Sequence, residues 1–233
     1  DGRLPFREMA PTRQHMLSDT RFSHATAVDA LGVIRSLVIN QGLTFNTAKC
    51  QDHSPWFASE ADWYTFRGSG EGGDKAQYVN KLAYGRTNGR SSSNFGTLWT
   101  QSKALYDELR KQEHGRAPFQ YVLGLLRRRC HIKTFGDLTS LLLAEDMVYA
   151  GLVAKPTLDE FAIVVGKLRK GAAKALMSLG LVSAKASTQE IAVAFVKVYN
   201  SVNNSLTQDE KDLMRFDMFM VEHALCKMQK CKR

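Results

Sequence analysis

Residues 187–202 read STQEIAVAFVKVYNSV, and this stretch decides the fold class. Ser187 is followed three positions later by Glu190, which is the sequence of a capping box at the start of a helix. Apolar side chains then recur at the spacing of a helix that buries one face. These side chains are Ile191, Ala194, Phe195, Val198, Tyr199 and Val202. The stretch therefore predicts an amphipathic α-helix.

The same start signal occurs twice more in the second half of the chain. Thr157 precedes Glu160 and Thr207 precedes Glu210 at the same spacing, and an apolar-periodic run follows each pair. Runs bounded by caps, Gly or Pro predict further helices. They are expected at residues 23–40, 54–63, 74–84, 95–114, 118–126 and 134–150. Alternating β patterns are nearly absent, and residues 43–47 are the best strand candidate.

These patterns predict a mainly α protein, a two-lobed helical bundle with long Gly/Ser loops and little or no β structure. Residues 1–22 carry two prolines and little periodicity, so an extended N-terminal arm is expected there. We expect an irregular helical lobe over residues 23–116 and a compact bundle over 117–233. A single merged domain is the alternative. Two Gly/Ser/Asn-rich segments, 67–74 and 85–94, predict exposed loops.

Length and composition place the chain among soluble globular proteins. It has 233 residues, of which 44% are hydrophobic and 24% charged. No run approaches the ~20 apolar residues that a membrane span needs, so no span is expected. The first residues show no apolar core of a signal peptide, which predicts an intracellular protein, in the cytoplasm or in a virion.

The net charge of +9 points to an anionic partner. Residues 1–119 hold 15 basic and 12 acidic side chains, whereas residues 120–233 hold 17 and 11. A basic surplus attracts polyanions over long range, so nucleic acid or an anionic membrane face is the natural partner class. A merely solvated cationic surface is the alternative reading.

The four cysteines are too few and too irregularly spaced for a secreted disulfide framework. His223, Cys226 and Cys231 are of the types that bind zinc, but a fourth ligand would have to come from far along the chain. A buried histidine and free thiols are the favoured interpretation, and no cofactor is expected.

Patterns of catalytic residues are missing from the sequence. The glycines at 68–73 lack the preceding strand and the Gly-Lys-Ser/Thr ending of a phosphate-binding loop. Neither a His-Glu-x-x-His nor a Gly-x-Ser-x-Gly motif occurs, and the six histidines are scattered. The sequence therefore predicts a binding protein rather than an enzyme, and an enzyme whose site assembles from dispersed residues is the remaining alternative.

Three groups of basic residues are candidate phosphate contacts. One pair lies in the 85–94 loop close to Tyr84 and Phe95, where guanidinium groups and aromatic rings could share a single strand. The second group, Arg127, Arg128 and Arg129, lies at the predicted end of a helix, where cations also complement the helix dipole. The third group, Lys167, Lys170 and Lys174, forms one cationic stripe if its helix continues through Gly171. A solvated helix face fits the same spacing. The candidates are Arg86, Arg90, Arg127, Arg128, Arg129, Lys167, Lys170 and Lys174.

The profile favours a sequence-nonspecific protein that binds single-stranded nucleic acid, RNA in particular, and self-assembles into a homo-oligomer. In size, charge and helix content it is similar to the nucleocapsid or coat proteins of RNA viruses, without a family motif that matches residue by residue. The alternative is a helical protein-interaction or scaffold domain that binds an acidic partner protein. That alternative predicts no retention of nucleic acid.

Overall fold

The computed structural model of the chain describes residues 7–9, 11–44, 53–68, 92–112, 115–129 and 132–231. Eleven α-helices lie in these ranges. They are α1 (Pro11–Leu17), α2 (Ala30–Ile39), α3 (Glu60–Gly68), α4 (Phe95–Leu109), α5 (Phe119–Gly124), α6 (Asp137–Tyr149), α7 (Leu158–Leu168), α8 (Gly171–Ser178), α9 (Thr188–Ser205), α10 (Gln208–Met214) and α11 (Met218–Cys231). Short 3-10 helices span Arg7–Met9, Thr20–Phe22 and Ser92–Asn94, and π-helical turns span Asn40–Thr44 and Leu125–Arg129.

The prediction of a mainly α protein is confirmed. Strand structure in the described ranges is limited to β1 (Ala117–Pro118) and β2 (Val153–Ala154), which pair in parallel. The strand candidate at 43–47 is not a strand where it is described, because Leu43 and Thr44 belong to a π-helical turn. The predicted helix at 74–84 and most of both Gly/Ser segments lie outside the described residues.

The chain divides into two compact units. The first unit comprises residues 11–155, and the second comprises residues 156–233 together with 1–10. The expected division near residue 116 falls inside the first unit, because α2 packs against α6 and Arg13 of α1 pairs with Asp146 of α6. These contacts tie residues 117–155 to the helices that precede them.

The second unit is built on the three predicted capping boxes, all of which form. The hydroxyl groups of Thr157, Ser187 and Thr207 each accept a hydrogen bond from the backbone N–H of the glutamate three residues later. The glutamate carboxylate in turn accepts from the backbone N–H of the cap residue. Helices α7, α9 and α10 therefore begin at the residues that the sequence predicts.

The core of the second unit joins α7, α9 and α11. The ring of Phe161 in α7 meets Phe195 of α9 edge-on, with centroids 5.8 Å apart, and Phe219 of α11 at 4.9 Å. Helix α8 packs along α11. This contact requires Gly171, since a Cβ atom there would lie 2.0 Å from the Sγ atom of Cys226. A side chain at position 171 would push α8 away from α11.

Residues 11–22 differ from the expected extended arm. They form α1 and a 3-10 helix, and Met16 and Phe22 are buried in the first unit. Arg13 of α1 is also buried and forms an ion pair with Asp146 of α6, with Nη1 and Oδ1 3.2 Å apart. The side-chain amide of Gln41 donates to the other oxygen of Asp146 at 2.7 Å. Apolar burial and a buried ion pair thus fix α1 against α6, where the sequence shows only weak periodicity.

Candidate nucleic-acid interface

The lysine stripe expected along one helix is interrupted. Helix α7 ends at Leu168, and Arg169 adopts a left-handed backbone with φ +50°. Helix α8 then begins at Gly171. The stripe prediction assumed a continuous helix through Gly171, and it is wrong because the chain turns at Arg169.

The three lysines of the stripe nevertheless stay close along the chain, around this turn. Lys167 lies in the last turn of α7, Lys170 is the cap residue of α8, and Lys174 lies in the first turn of α8. All three side chains are exposed. Cations from two helices are therefore grouped at one bend of the chain.

Arg169 brings a second backbone segment to the same bend. Its Nη1 donates to the carbonyl oxygen of Ala186 at 2.7 Å, and its Nη2 donates to that of Ala184 at 3.2 Å. Lys185 stands between these two residues and is exposed. The guanidinium group thus holds the segment before α9 at the turn and adds a lysine to it.

We call Lys167, Arg169, Lys170, Lys174 and Lys185 the basic corner. No Asp or Glu occurs between Glu160 and Glu190, so the corner lies in a stretch of 29 residues with five cations and no anion. Sequence reasoning missed Lys185, and this acid-free stretch is the signal that could have found it. The stretch that contains the corner therefore has a positive net charge.

The beginning of α8 adds to the positive charge at the corner. Helices α7, α9 and α10 start with a Ser or Thr that accepts backbone hydrogen bonds, whereas α8 starts at Lys170, whose side chain provides no cap. The first turn of α8 contains no acidic residue. The positive end of the helix dipole and the lysine charges therefore add together.

The arginine run at 127–129 has a different environment, in the first unit. Arg127 is paired with Asp137, with Nε and Oδ1 2.8 Å apart, so a carboxylate already balances its charge. Arg128 is exposed. Arg129 ends the π-helical turn, and its side chain lies outside the described residues. Arg127 is thus a weaker candidate for phosphate than the sequence suggests.

The loop candidates Arg86 and Arg90 lie outside the described residues. Of the two aromatic residues considered with them, Tyr84 also lies outside, and Phe95 is buried. The Phe95 ring stacks on Trp63, with centroids 4.9 Å apart. Phe95 is therefore part of the core and is not available to stack on a base.

The possible zinc ligands His223 and Cys226 are buried in α11, and Cys226 forms no disulfide and packs against Gly171. The side chain of Cys231 lies outside the described residues. Across the part of the chain that the structure describes, no three His, Cys, Asp or Glu side chains are grouped as metal ligands.

Among the helices of the described residues, none is both long and apolar enough to cross a membrane.

A groove of about 880 Å³ runs along the outer side of α9, and we call it the α9 groove. One wall is the segment 180–186, which Arg169 holds in place. Gly180 is the first residue of this segment and has φ +72°. Helix α8 ends here, because the N–H of Gly180 donates to the carbonyl oxygen of Met177 and the N–H of Leu181 donates to the carbonyl oxygen of Leu176. The other wall is the exposed face of α9.

The lining of the α9 groove is largely apolar. Val193 of α9 is 44% exposed and Leu181 of the opposite wall is 51% exposed. Charged groups stand at Glu190 and Lys197. The backbone N–H of Ser187 donates to Glu190, and this hydrogen bond holds the pKa of that carboxyl below its usual range. Glu190 is therefore a fixed and ionised carboxylate near neutral pH.

Comparison with known proteins identifies no relative. No protein-family model matches the chain, and neither a curated protein nor a solved structure matches it.

Proposed function

We propose that this protein binds single-stranded nucleic acid, RNA in particular, without sequence preference and assembles into a homo-oligomer. The observation that carries the proposal is the basic corner, with five cations grouped at one bend of an acid-free stretch. A lysine ammonium group that contacts a phosphate acts as a point charge, and a phosphate contact carries no sequence information. Contacts of this kind favour binding that is independent of sequence.

The shape of the corner favours a single strand over a duplex. Its cations come from the end of α7, the start of α8 and the segment before α9, and therefore do not follow one straight helix face. Duplex DNA is stiff over roughly 150 base pairs and follows such a bend only at an energetic cost. A flexible single strand can place successive phosphates around the turn.

Purification without nuclease tests this proposal against the scaffold alternative. We expect the protein to elute from a size-exclusion column as a large species rich in absorbance at 260 nm. This species should shrink after nuclease treatment and a high-salt wash, because counterion release makes phosphate binding salt-dependent. A small peak free of nucleic acid at gentle salt would reject the proposal and favour an acidic protein partner.

A matched pair of double variants locates the binding surface. Lys167→Ala with Lys185→Ala removes two charges of the corner. Lys103→Ala with Lys111→Ala removes two lysines that are paired with Asp107 and Glu108 on α4. We expect the first pair to weaken binding of a mixed-sequence RNA oligonucleotide and the second to leave it near the wild-type value. Equal losses would show that net charge alone matters.

A further inference from the structure

The charge pattern along the α9 groove is complementary to its own reverse. Glu190 and Lys197 are two helical turns apart, roughly 10 Å along the axis, and both line the groove. Val193 and Ala194 lie at the midpoint between them. Rotation by 180° about an axis through this midpoint places position 190 of one helix opposite position 197 of the other.

Such a rotation generates an antiparallel pair of α9 helices from two copies of the chain. Glu190 of each copy then faces Lys197 of the other, so the two ion pairs form symmetrically. A parallel pair would place Glu190 beside Glu190 and Lys197 beside Lys197, which electrostatic repulsion disfavours. Charge complementarity therefore selects one orientation.

The surface between the charges suits close approach of two helices. Val193 projects from α9 with 44% of its surface exposed, and its neighbour at the midpoint is the small Ala194. Leu181 adds exposed apolar surface on the opposite wall. An exposed apolar centre with charges on either side is the usual pattern of a protein-protein contact.

One of the two charges is already held in place. The Glu190 carboxylate accepts the Ser187 N–H at 2.7 Å through Oε2, which fixes the side chain at the start of α9. A fixed carboxylate loses little rotamer freedom when a lysine from another molecule binds its remaining acceptor sites.

We propose that the α9 groove docks the α9 helix of a second copy of this chain, in an antiparallel dimer with two Glu190–Lys197 ion pairs. The inference rests on the self-assembly part of the proposed function and names the surface that serves it. Its charged groups are distinct from those of the basic corner, because neither Glu190 nor Lys197 belongs to the corner.

The test is a charge-reversal exchange on nucleic-acid-free protein, with sedimentation equilibrium at low salt. Lys197→Glu alone puts Glu opposite Glu, and Glu190→Lys alone puts Lys opposite Lys. We expect each variant to raise the dimer dissociation constant at least ten-fold. Mixed in equal amounts, the two variants form both ion pairs again, so a heterodimer close to wild-type affinity should appear. Lys133→Glu, with the same change of charge at an exposed lysine of the first unit outside the α9 groove and the basic corner, is the control and should dimerise normally.

Several results would overturn the proposal. They are a wild-type protein that stays monomeric at every concentration, single variants that dimerise like wild type, and a mixture that does not restore the dimer. Glu190→Lys also removes a helix cap, so Val193→Asp serves as a variant that leaves the capping box intact. If Glu190→Lys does not fold, the other two variants decide. The proposal is overturned if Lys197→Glu or Val193→Asp dimerises as strongly as the wild type, and it is supported if both variants lose the dimer.

Binding of a short RNA oligonucleotide separates this inference from the proposed function. Monomeric Lys197→Glu should keep its affinity for the oligonucleotide if the basic corner is the binding surface. A dimer that binds no RNA would reject the proposed function while leaving the docking surface supported.

Discussion

A single methyl group at Gly171 should disturb the packing of α8, the helix that carries Lys174 of the basic corner. A Cβ atom there would lie 2.0 Å from Sγ, 2.6 Å from Cβ and 3.1 Å from Cα of Cys226. Ordinary contact begins near 3.4 Å, so the sulfur would have to retreat by about 1.4 Å. A new rotamer moves only the sulfur, whereas Cβ and Cα are fixed to α11. Helices α8 and α11 must therefore separate.

We expect Gly171→Ala to lower the free energy of unfolding by about 2 kcal/mol, within the ~1–3 kcal/mol range for an overpacked core. With a urea dependence of about 2 kcal/mol per molar, the midpoint should fall by about 1 M. Far-UV circular dichroism is the suitable signal, because Trp56, Trp63 and Trp99 all lie in the first unit. Tryptophan fluorescence would report mainly on that unit.

Two companion variants make this prediction specific. Gly96→Ala, in α4, has nothing within 4 Å of the new Cβ atom and should leave stability unchanged or raise it by up to about 1 kcal/mol. Cys226→Ala in the Gly171→Ala background removes the closest contact but leaves the Cβ contact, so it should recover part of the loss. A Gly171→Ala protein as stable as wild type would refute the packing of α8 on α11.

Two further predictions concern caps and turns. Thr207 donates hydrogen bonds to the Glu210 carboxylate and lowers the pKa of that carboxyl from its ordinary value of 4.5. The ionised carboxylate therefore stabilises the fold above pH 4.5. This contribution is lost as the pH falls through the lower pKa of the folded state. Glu210→Gln should therefore reduce the loss of stability seen between neutral and acid pH in urea titrations, and an unchanged pH profile would contradict the cap. Arg169 and Arg215 share a left-handed backbone, with φ +50° and +51°. Arg215→Gly should be neutral or stabilising by up to about 1 kcal/mol, since glycine adopts this conformation without strain. Arg169→Gly also removes the hydrogen bonds to Ala184 and Ala186. Trypsin should therefore cleave after Lys185 faster in this variant than in the Arg215→Gly protein. Equal cleavage rates would show that Arg169 does not hold this segment.

The helix starts of the second unit were predictable because their signals are local. Thr157, Ser187 and Thr207 each find their glutamate partner within one helical turn, so four residues of sequence contain the whole motif. The stop of α6 is equally local, since Gly151 adopts φ +76° and its neighbours close the helix.

Contacts between distant residues account for what the sequence did not predict. The helical structure of residues 11–22 is held by Asp146, which pairs with Arg13 across 133 positions of the chain. The break between α7 and α8 uses a non-glycine residue, Arg169, in a left-handed conformation that few side chains adopt. Gly171 then serves the packing against Cys226 rather than the continuation of a helix.

The candidate site was predictable in part. The lysines at 167, 170 and 174 are exposed as expected, but their grouping depends on a turn instead of a stripe. Lys185 joins them only because Arg169 bonds to carbonyl groups 15 and 17 residues further on. The absence of acidic residues between Glu160 and Glu190 is visible in the sequence and would have marked the same region.

The salt dependence of RNA binding tests the central claim most directly. A labelled single-stranded RNA is titrated at several salt concentrations with wild type and with Lys167, Lys170, Lys174 and Lys185 all changed to Ala. Each phosphate contact on a single strand contributes about 0.7 to the slope of log Kobs against log salt. Four lost contacts should therefore make the slope shallower by about 2 to 3, alike for different RNA sequences. An unchanged slope in a folded variant would contradict the assignment of the basic corner as the nucleic-acid interface.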